Sequence, residues 1–232
     1  MSAQQVVPGL YLINLGFVNA YLLEGKEGLI LVDSGIPGSA KKILDAVRSL
    51  GKQPADVKHI LVTHLHGDHT GSLAVLKRDT GAPVYMHPID AALVQRGETS
   101  RPVEPAPGLF NKLMSTMMAR QGPMTIEPAE TEHELYDNQE LNLVEDGLRV
   151  LHAPGHAAGQ VVFLWPRHGG VLIAADTCGN MTGFGLPPIF ENLNDGMKTL
   201  KKLAALNFEV AVFGHGKPLT KGAANRFKKK WS

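Results

Sequence analysis

Short apolar runs and helical stripes alternate along this chain, and the alternation is played through twice. Residues 10–15 (LYLINL) and 17–24 (FVNAYLLE) read as an N-terminal hairpin, and 28–35 (GLILVDSG) as a third strand of the same sheet. From Ser39, placed to cap a helix, to Gly51, placed to stop it, Ile43, Leu44, Val47 and Leu50 recur at helical spacing and predict a covering helix. A buried strand follows at Ile60, Leu61 and Val62, then a polar loop, then a second helix that Thr70 caps and that carries Leu73, Val75 and Leu76 toward Gly81. APVYMH is the next strand, and His87 at its end reads as a surface or rim histidine. The second half repeats the outline. QELNLVEDGLRVLHAPGH gives two strands around a Glu-Asp-Gly turn, QVVFLWP and GVLIAAD two more, and Asn194 opens a helix with Met197, Leu200 and Leu203 inward. FEVAVFGHG is the last strand, and the tail places Phe227 and Trp231 one turn apart, as a docked terminal helix with a solvated basic face would.

Residues 88–138 break this rhythm. They hold a proline-rich loop, RPVEPAPG, and then LFNKLMSTMMARQG, in which Phe110, Leu113, Met114, Met117 and Met118 share a helix face. Such a stripe is by default packed on a core or on a second subunit, and that reading is preferred here. The other reading is a lid over an apolar substrate pocket, because methionine side chains adapt to irregular apolar shapes. His133 and Tyr136, near the end of the segment, stay unplaced between site and surface.

The chemistry is concentrated at residues 60–71, ILVTHLHGDHTG, where the apolar run gives way to three histidines and an aspartate. In an extended segment residues two apart point the same way, so His64 and His66 can bind one cation. Asp68 and His69, beyond the turn at Gly67, face a second. Imidazole and carboxylate are ligands that zinc, iron and manganese accept, and a loop at a strand end can keep a coordination position open for water. The spacing differs from the helical HExxH arrangement, which holds a single zinc.

THLHGDH resembles the HxHxDH signature of the metallo-β-lactamase superfamily, and the resemblance runs from about residue 10 to about residue 220. It implies an α/β fold: a four-layered αβ/βα sandwich of two mixed sheets flanked by helices. A single domain would span residues 1–232, with the lid-like insertion at about 88–138. It also implies three further ligands in order: His156 in APGHAAGQ, the bridging Asp176 in LIAADTCGN, and His215 between Gly214 and Gly216. With His64, His66, Asp68 and His69 these would hold two divalent ions, zinc first, with iron or manganese as alternatives. Asp33 matches an aspartate that orients the metal loop, the alternative being a plain Asp-Ser-Gly turn. His152 reads as structural.

From such a site follows a mechanism. One carboxylate can bridge two cations about 3.5–4 Å apart, and a water they share falls from a pKa of about 15.7 toward about 7, giving a hydroxide nucleophile. Asp68 beside it would be the catalytic residue that takes up and passes on the proton. The expected activity is hydrolysis of an ester, thioester or lactone bond in a small substrate, an apolar one being among the options, on a chain resembling the glyoxalase II and lactonase branches. Only a short tail follows His215 where hydroxyacylglutathione hydrolases carry a helical region, and Gly179 stands where acyl-homoserine lactonases have a tyrosine. Asp176 argues against β-lactamase activity. The alternative is a persulfide dioxygenase of the same fold, with one iron on His64, His156 and Asp176.

Composition narrows the partners. A chain of 232 residues that is 44% apolar can build one sizeable core. Lysine and arginine number 23 against 22 acidic residues, a net charge of +1, which disfavours nucleic acid or an anionic membrane as partner. No basic start leads into an apolar leader and no run approaches the roughly 18 apolar residues of a membrane helix, so a cytoplasmic protein is expected. The lone Cys178 excludes an internal disulfide framework and a cysteine-based zinc site. A homodimer is left open by the methionine-rich stripe.

Overall fold

The computed structural model describes residues 2–232. Strands β1 (Gln4–Val7), β2 (Leu10–Asn14), β3 (Asn19–Glu24) and β4 (Leu29–Val32) pair antiparallel in turn. Helix α1 (Ala40–Ser49) then crosses over, so β5 (Val57–Leu61) lies parallel to β4. Helices α2 (Gly67–Thr70) and α3 (Leu73–Thr80) do the same for β6 (Val84–Met86). Next come α4 (Pro88–Val94), β7 (Glu104–Pro105) and α5 (Leu109–Gln121), after which β8 (His133–Glu134) completes a sheet ordered β1-β2-β3-β4-β5-β6-β8. In the second sheet β9 (Glu140–Leu141), β10 (Leu148–His152), β11 (Val161–Trp165) and β12 (Val171–Ile173) are antiparallel. The short β13 (Ile189–Phe190) pairs with β7 instead, and α6 (Leu193–Ala204) returns the chain to β14 (Val210–Val212), parallel to β12. Helix α7 (Ala223–Trp231) ends the described chain.

Why these runs are so uniformly apolar follows from the layering. In β4, Ile30 and Val32 pack toward the second sheet with Phe163, Val171 and Val212, whereas Leu29 and Leu31 pack beneath Ile43 and Val47 of α1. A strand covered on both faces cannot alternate with polar residues. The second sheet does likewise, with Leu151, Val162, Leu172 and Ala211 under Leu200 and Leu203 of α6 and Phe227 and Trp231 of α7. Helix, sheet, sheet and helix form the expected αβ/βα sandwich. Among the described residues no helix is long and apolar enough to cross a membrane.

Several local expectations shift. Strand β1 has no apolar run to announce it; its residues are exposed or half-buried and its pairing with β2 defines it. Ser39 precedes α1 without capping it and uses its amide to donate to Ser72 Oγ. Thr70 closes α2 and donates to Leu65 O and His66 O rather than capping the next helix. Asn192, not Asn194, opens α6, its side chain accepting from the Asp195 amide at 3.0 Å. Most consequentially, no residue of α5 is buried, so its apolar stripe does not pack into the core.

His87 caps α4, accepting from the Ile89 amide, and its ring stacks on His152 at 4.4 Å. Burial, reinforced by the charge of His152, lowers its pKa to about 4. The unfolded chain therefore binds the proton first, and stability due to neutral His87 is present above about pH 6.5 and lost as pH falls toward 4. His87→Asn keeps a capping acceptor without a titrating ring. Its unfolding midpoint should fall less than the parent's between pH 7 and 4.5; parallel midpoints in a thermal scan would refute the assignment.

Candidate metal centre

Five strand ends deliver the site. Beyond β5 a short loop that bends at Leu65 carries His64 and His66, and α2 begins at Gly67, which turns Asp68 and His69 onto one helical turn. Asp33 follows β4 at φ 63°, and Ala175 after β12 takes φ 47°, the left-handed region that non-glycine residues seldom occupy. Those two turns swing Asp33 and Asp176 inward. His156 comes from the loop after β10 and His215 from the end of β14. A side chain at Gly214 would collide with Asp176 Oδ1 and stand 2.6 Å from His69 Cε1, so this close approach needs glycine.

All seven predicted ligands come together. His66 Nδ1 lies 3.1 Å from His64 Nε2 and 2.9 Å from His156 Nε2. On the other side His215 Nε2 lies 3.2 Å and His69 Nε2 3.8 Å from Asp68 Oδ2. Asp176 Oδ2 sits between, 3.5 Å from His156 Nε2, 3.6 Å from His69 Nε2 and 3.0 Å from His215 Nε2. Donors about 2.0–2.1 Å from a tetrahedral cation stand ~3.3 Å apart, so these separations suit ligands converging on shared points. Three overlapping groups each bring three donor atoms within 4.8 Å of one another: His64, His66 and His156; His64, His69 and Asp176; and Asp68, His69 and His215. His69 Nε2 and Asp176 Oδ1 are buried without any hydrogen-bond partner, an expensive arrangement that a bound cation would relieve. The residues present fit divalent metal.

Outer contacts orient the rings. The Nδ1 atoms of His64, His69, His156 and His215 meet Thr63 Oγ1 at 3.0 Å, Asp33 Oδ2 at 2.9 Å, Ile189 O at 3.0 Å and Phe17 O at 2.7 Å. Each acceptor favours the tautomer protonated at Nδ1 and leaves the Nε2 lone pair facing the cluster. His66 is the exception and presents Nδ1. Asp33 also accepts from the amide and hydroxyl of Thr63, the residue before His64, so the expected orienting role holds geometrically.

Electrostatics separates the two sides. Burial lowers His64, His66 and His156, with neighbouring imidazoles adding to it for the first two, and His66 falls to about 3. These three rings are held in the neutral, ligating form. Burial opposes charge on His69 and His215 too, yet the carboxylates of Asp176 and Asp68 outweigh it and raise both, His215 to about 10. Burial likewise acts to raise Asp68 and Asp176, but His69 and His215 hold both ionised.

Asp33→Asn tests the orienting contact. Such partners typically account for about 10- to 100-fold in metal affinity, and a loss of that size at the His69 side is expected in chelator competition. Unchanged affinity would show that Thr63 and packing hold the loop alone.

Other histidines lie outside. His87 and His152 stack on each other, with His152 Nε2 on Ala158 O, and His133 stacks on Tyr85 at 4.3 Å. Tyr136 is exposed and bonded to Glu134. Sequence reasoning missed Asn19 and Tyr21, which bind Phe213 O and so fix the approach to His215, the buried Asp90, and Glu191, whose side chain is 8% exposed. None carries a spacing signal.

Compared with known proteins, residues 13–215 match the family described as the metallo-beta-lactamase superfamily. "Uncharacterized protein YobT" of Bacillus subtilis is 32% identical over 212 residues, covering 86% of this chain and 83% of that protein. "Probable metallo-hydrolase YflN", also of B. subtilis, is 24% identical over 235 residues, covering 93% and 87%. Among solved structures, a beta-lactamase from Chitinophaga pinensis superposes with a TM-score of 0.75 at 24% identity, covering all of this chain and 91% of the other.

Proposed function

Because this chain belongs to the metallo-beta-lactamase superfamily, we propose that it is a metal-dependent hydrolase that cleaves an ester, thioester or lactone bond of a small substrate bearing an apolar group. The observation that carries this reading is the position of Asp176, whose Oδ2 lies within reach of His156 on one side and of His69 and His215 on the other. His64, His66 and His156 would hold one divalent ion, and Asp68, His69 and His215 the second, with Asp176 common to both. Zinc is the first candidate for each. Bound, such ions supply Lewis acidity and a water acidified to a pKa near 7.

The chain's own groups supply the rest. Asp68 and His215 stay partly open, with side-chain exposures of 19% and 20% against 0% for His69, 4% for His156 and 5% for Asp176, so a substrate's reacting group can meet them. Asp68 Oδ2, charged and unburdened by a backbone donor, takes the proton of the attacking water and returns it to the leaving group. The outer contacts to Thr63, Asp33, Ile189 and Phe17 hold the imidazoles still while this happens. Phe17, 46% exposed, stacks parallel on His215 and offers an apolar wall beside the mouth.

The insertion supports an apolar substrate portion. Met124, just past α5, packs on Gly67 within the histidine loop, and Leu109, Phe110 and Leu113 stand 86%, 57% and 58% exposed. An uncovered apolar helix rooted on the metal loop suits a lid closing on a substrate tail. Neither nucleic acid nor a membrane is required as partner.

A panel of aryl esters, thioesters and lactones of increasing chain length tests the proposal. Turnover should be lost with chelator, restored by zinc, independent of oxygen, and biased toward longer tails. No hydrolysis by metal-loaded protein, or oxygen uptake with a persulfide, would overturn it.

A further inference from the structure

One cluster of charge is buried outside the ligand set, in the wall behind His64, His66 and His156. Asp90, in the first turn of α4, is fully buried, and its Oδ2 accepts from the amide of Leu65, the residue between His64 and His66, at 3.1 Å. Its Oδ1 accepts from the Gly159 amide at 3.0 Å. Glu191, with 8% side-chain exposure, accepts from the Ala158 amide at 2.8 Å and donates its own amide to His156 O. Two carboxylates thus pin the backbone on either side of three histidines. Gly159 belongs to the arrangement: a Cβ there would stand 2.6 Å from Asp90 Cγ.

A single cation joins them. Arg101 Nη1 reaches Asp90 Oδ1 at 2.7 Å and Glu191 Oε1 at 3.1 Å, while Nη2 donates to Ile89 O at 2.6 Å. Arg101 lies in the insertion, between α4 and β7. Downstream the insertion stays attached to the same wall: β7 pairs with β13, whose Ile189 O receives His156 Nδ1, and Glu104 accepts from the Leu193 amide.

We propose that Arg101 is a positioning residue, a clamp through Asp90 and Glu191 that sets the geometry of the His64, His66 and His156 ligand group and ties it to the docked insertion. Two carboxylates buried this closely repel each other and are costly without a countercharge. Remove the guanidinium and one must take a proton or swing out, leaving the amides that order the histidine loops without an acceptor. Nothing in the cluster touches Asp68, His69 or His215; Asp33 holds His69 and Phe17 O holds His215. The effect is therefore one-sided, which a general loss of stability would not be.

This inference rests on the two-ion reading of the site. Its test is stepwise removal of zinc from the intact protein with a chelator, following ions per chain by elemental analysis, in parent, Arg101→Gln and Arg101→Lys. Arg101→Gln should release one ion at about 10- to 100-fold lower chelator strength while the second step stays within about threefold. Arg101→Lys keeps the charge but not the fork, so it should show a smaller shift of the same step; it also serves if the glutamine variant does not fold. Both steps unmoved in a folded variant, or both moved together, would overturn the clamp. A parent that takes up no zinc refutes the metal site itself, an outcome visible in the parent alone.

Discussion

Asp176→Ala should reduce the metal bound per chain from about two ions to one or none and lower kcat/KM on any hydrolysed substrate about 10²- to 10⁴-fold. Its Oδ2 lies 3.5 Å from His156 Nε2 and 3.0 Å from His215 Nε2, and Oδ1 is buried with no protein partner, so in the proposed two-ion site this carboxylate would be shared by both ions. Losing it leaves three imidazoles on one side and an aspartate with two imidazoles on the other, each short of a ligand. Two-metal stabilisation of the attacking and leaving groups amounts to several kcal/mol, and about 1.4 kcal/mol corresponds to tenfold in rate, hence the range. Asp176 also pairs with His69 and His215 in the metal-free chain, so a thermal scan of the variant accompanies the kinetics to establish that it is folded. The check pairs elemental analysis with steady-state kinetics. A variant with parental metal content, or with kcat/KM within about threefold, would remove Asp176 from the chemistry.

The second large effect concerns stability at the opposite face. Phe227 of α7 is fully buried, with ring centroids of Phe184, Phe208 and Trp231 each 5.0 Å away and Phe213 stacked at 6.5 Å. This aromatic cluster is what docks the terminal helix on the second sheet. Phe227→Ala removes a ring that its neighbours cannot close over, at a cost of about 3–5 kcal/mol. At about 2–4 °C per kcal/mol for a domain of this size, the unfolding midpoint should drop by roughly 6–20 °C. Phe110→Ala on α5, where the ring is 57% exposed, should change stability by less than about 0.5 kcal/mol. Calorimetry on the two variants settles the contrast; a Phe227 loss below about 1 kcal/mol would mean that α7 is not part of the cooperative core.

Much of this architecture is legible from pattern because both sheets are covered on both faces. Runs such as LILV in β4 and VVFLW in β11 are then continuously apolar, and the helices between them carry single stripes. The candidate ligands are legible for a different reason: four donor side chains in six positions after a buried strand have few other uses. What stayed hidden had no periodic signature. β7 and β13 are two residues each, set by a pairing between distant segments. Asp90, Arg101 and Glu191 look like ordinary surface charges, since sequence shows a charge but not whether it is buried. Helix α5 shows the converse limit: periodicity located its apolar face correctly and says nothing about whether anything covers that face.

The most direct test of the central claim is the metal content of protein purified without chelator, measured by elemental analysis. The account predicts about two zinc, manganese or iron atoms per chain. A single iron that does not increase on adding zinc or manganese would contradict it and move the assignment to an oxygen-dependent enzyme of the same fold.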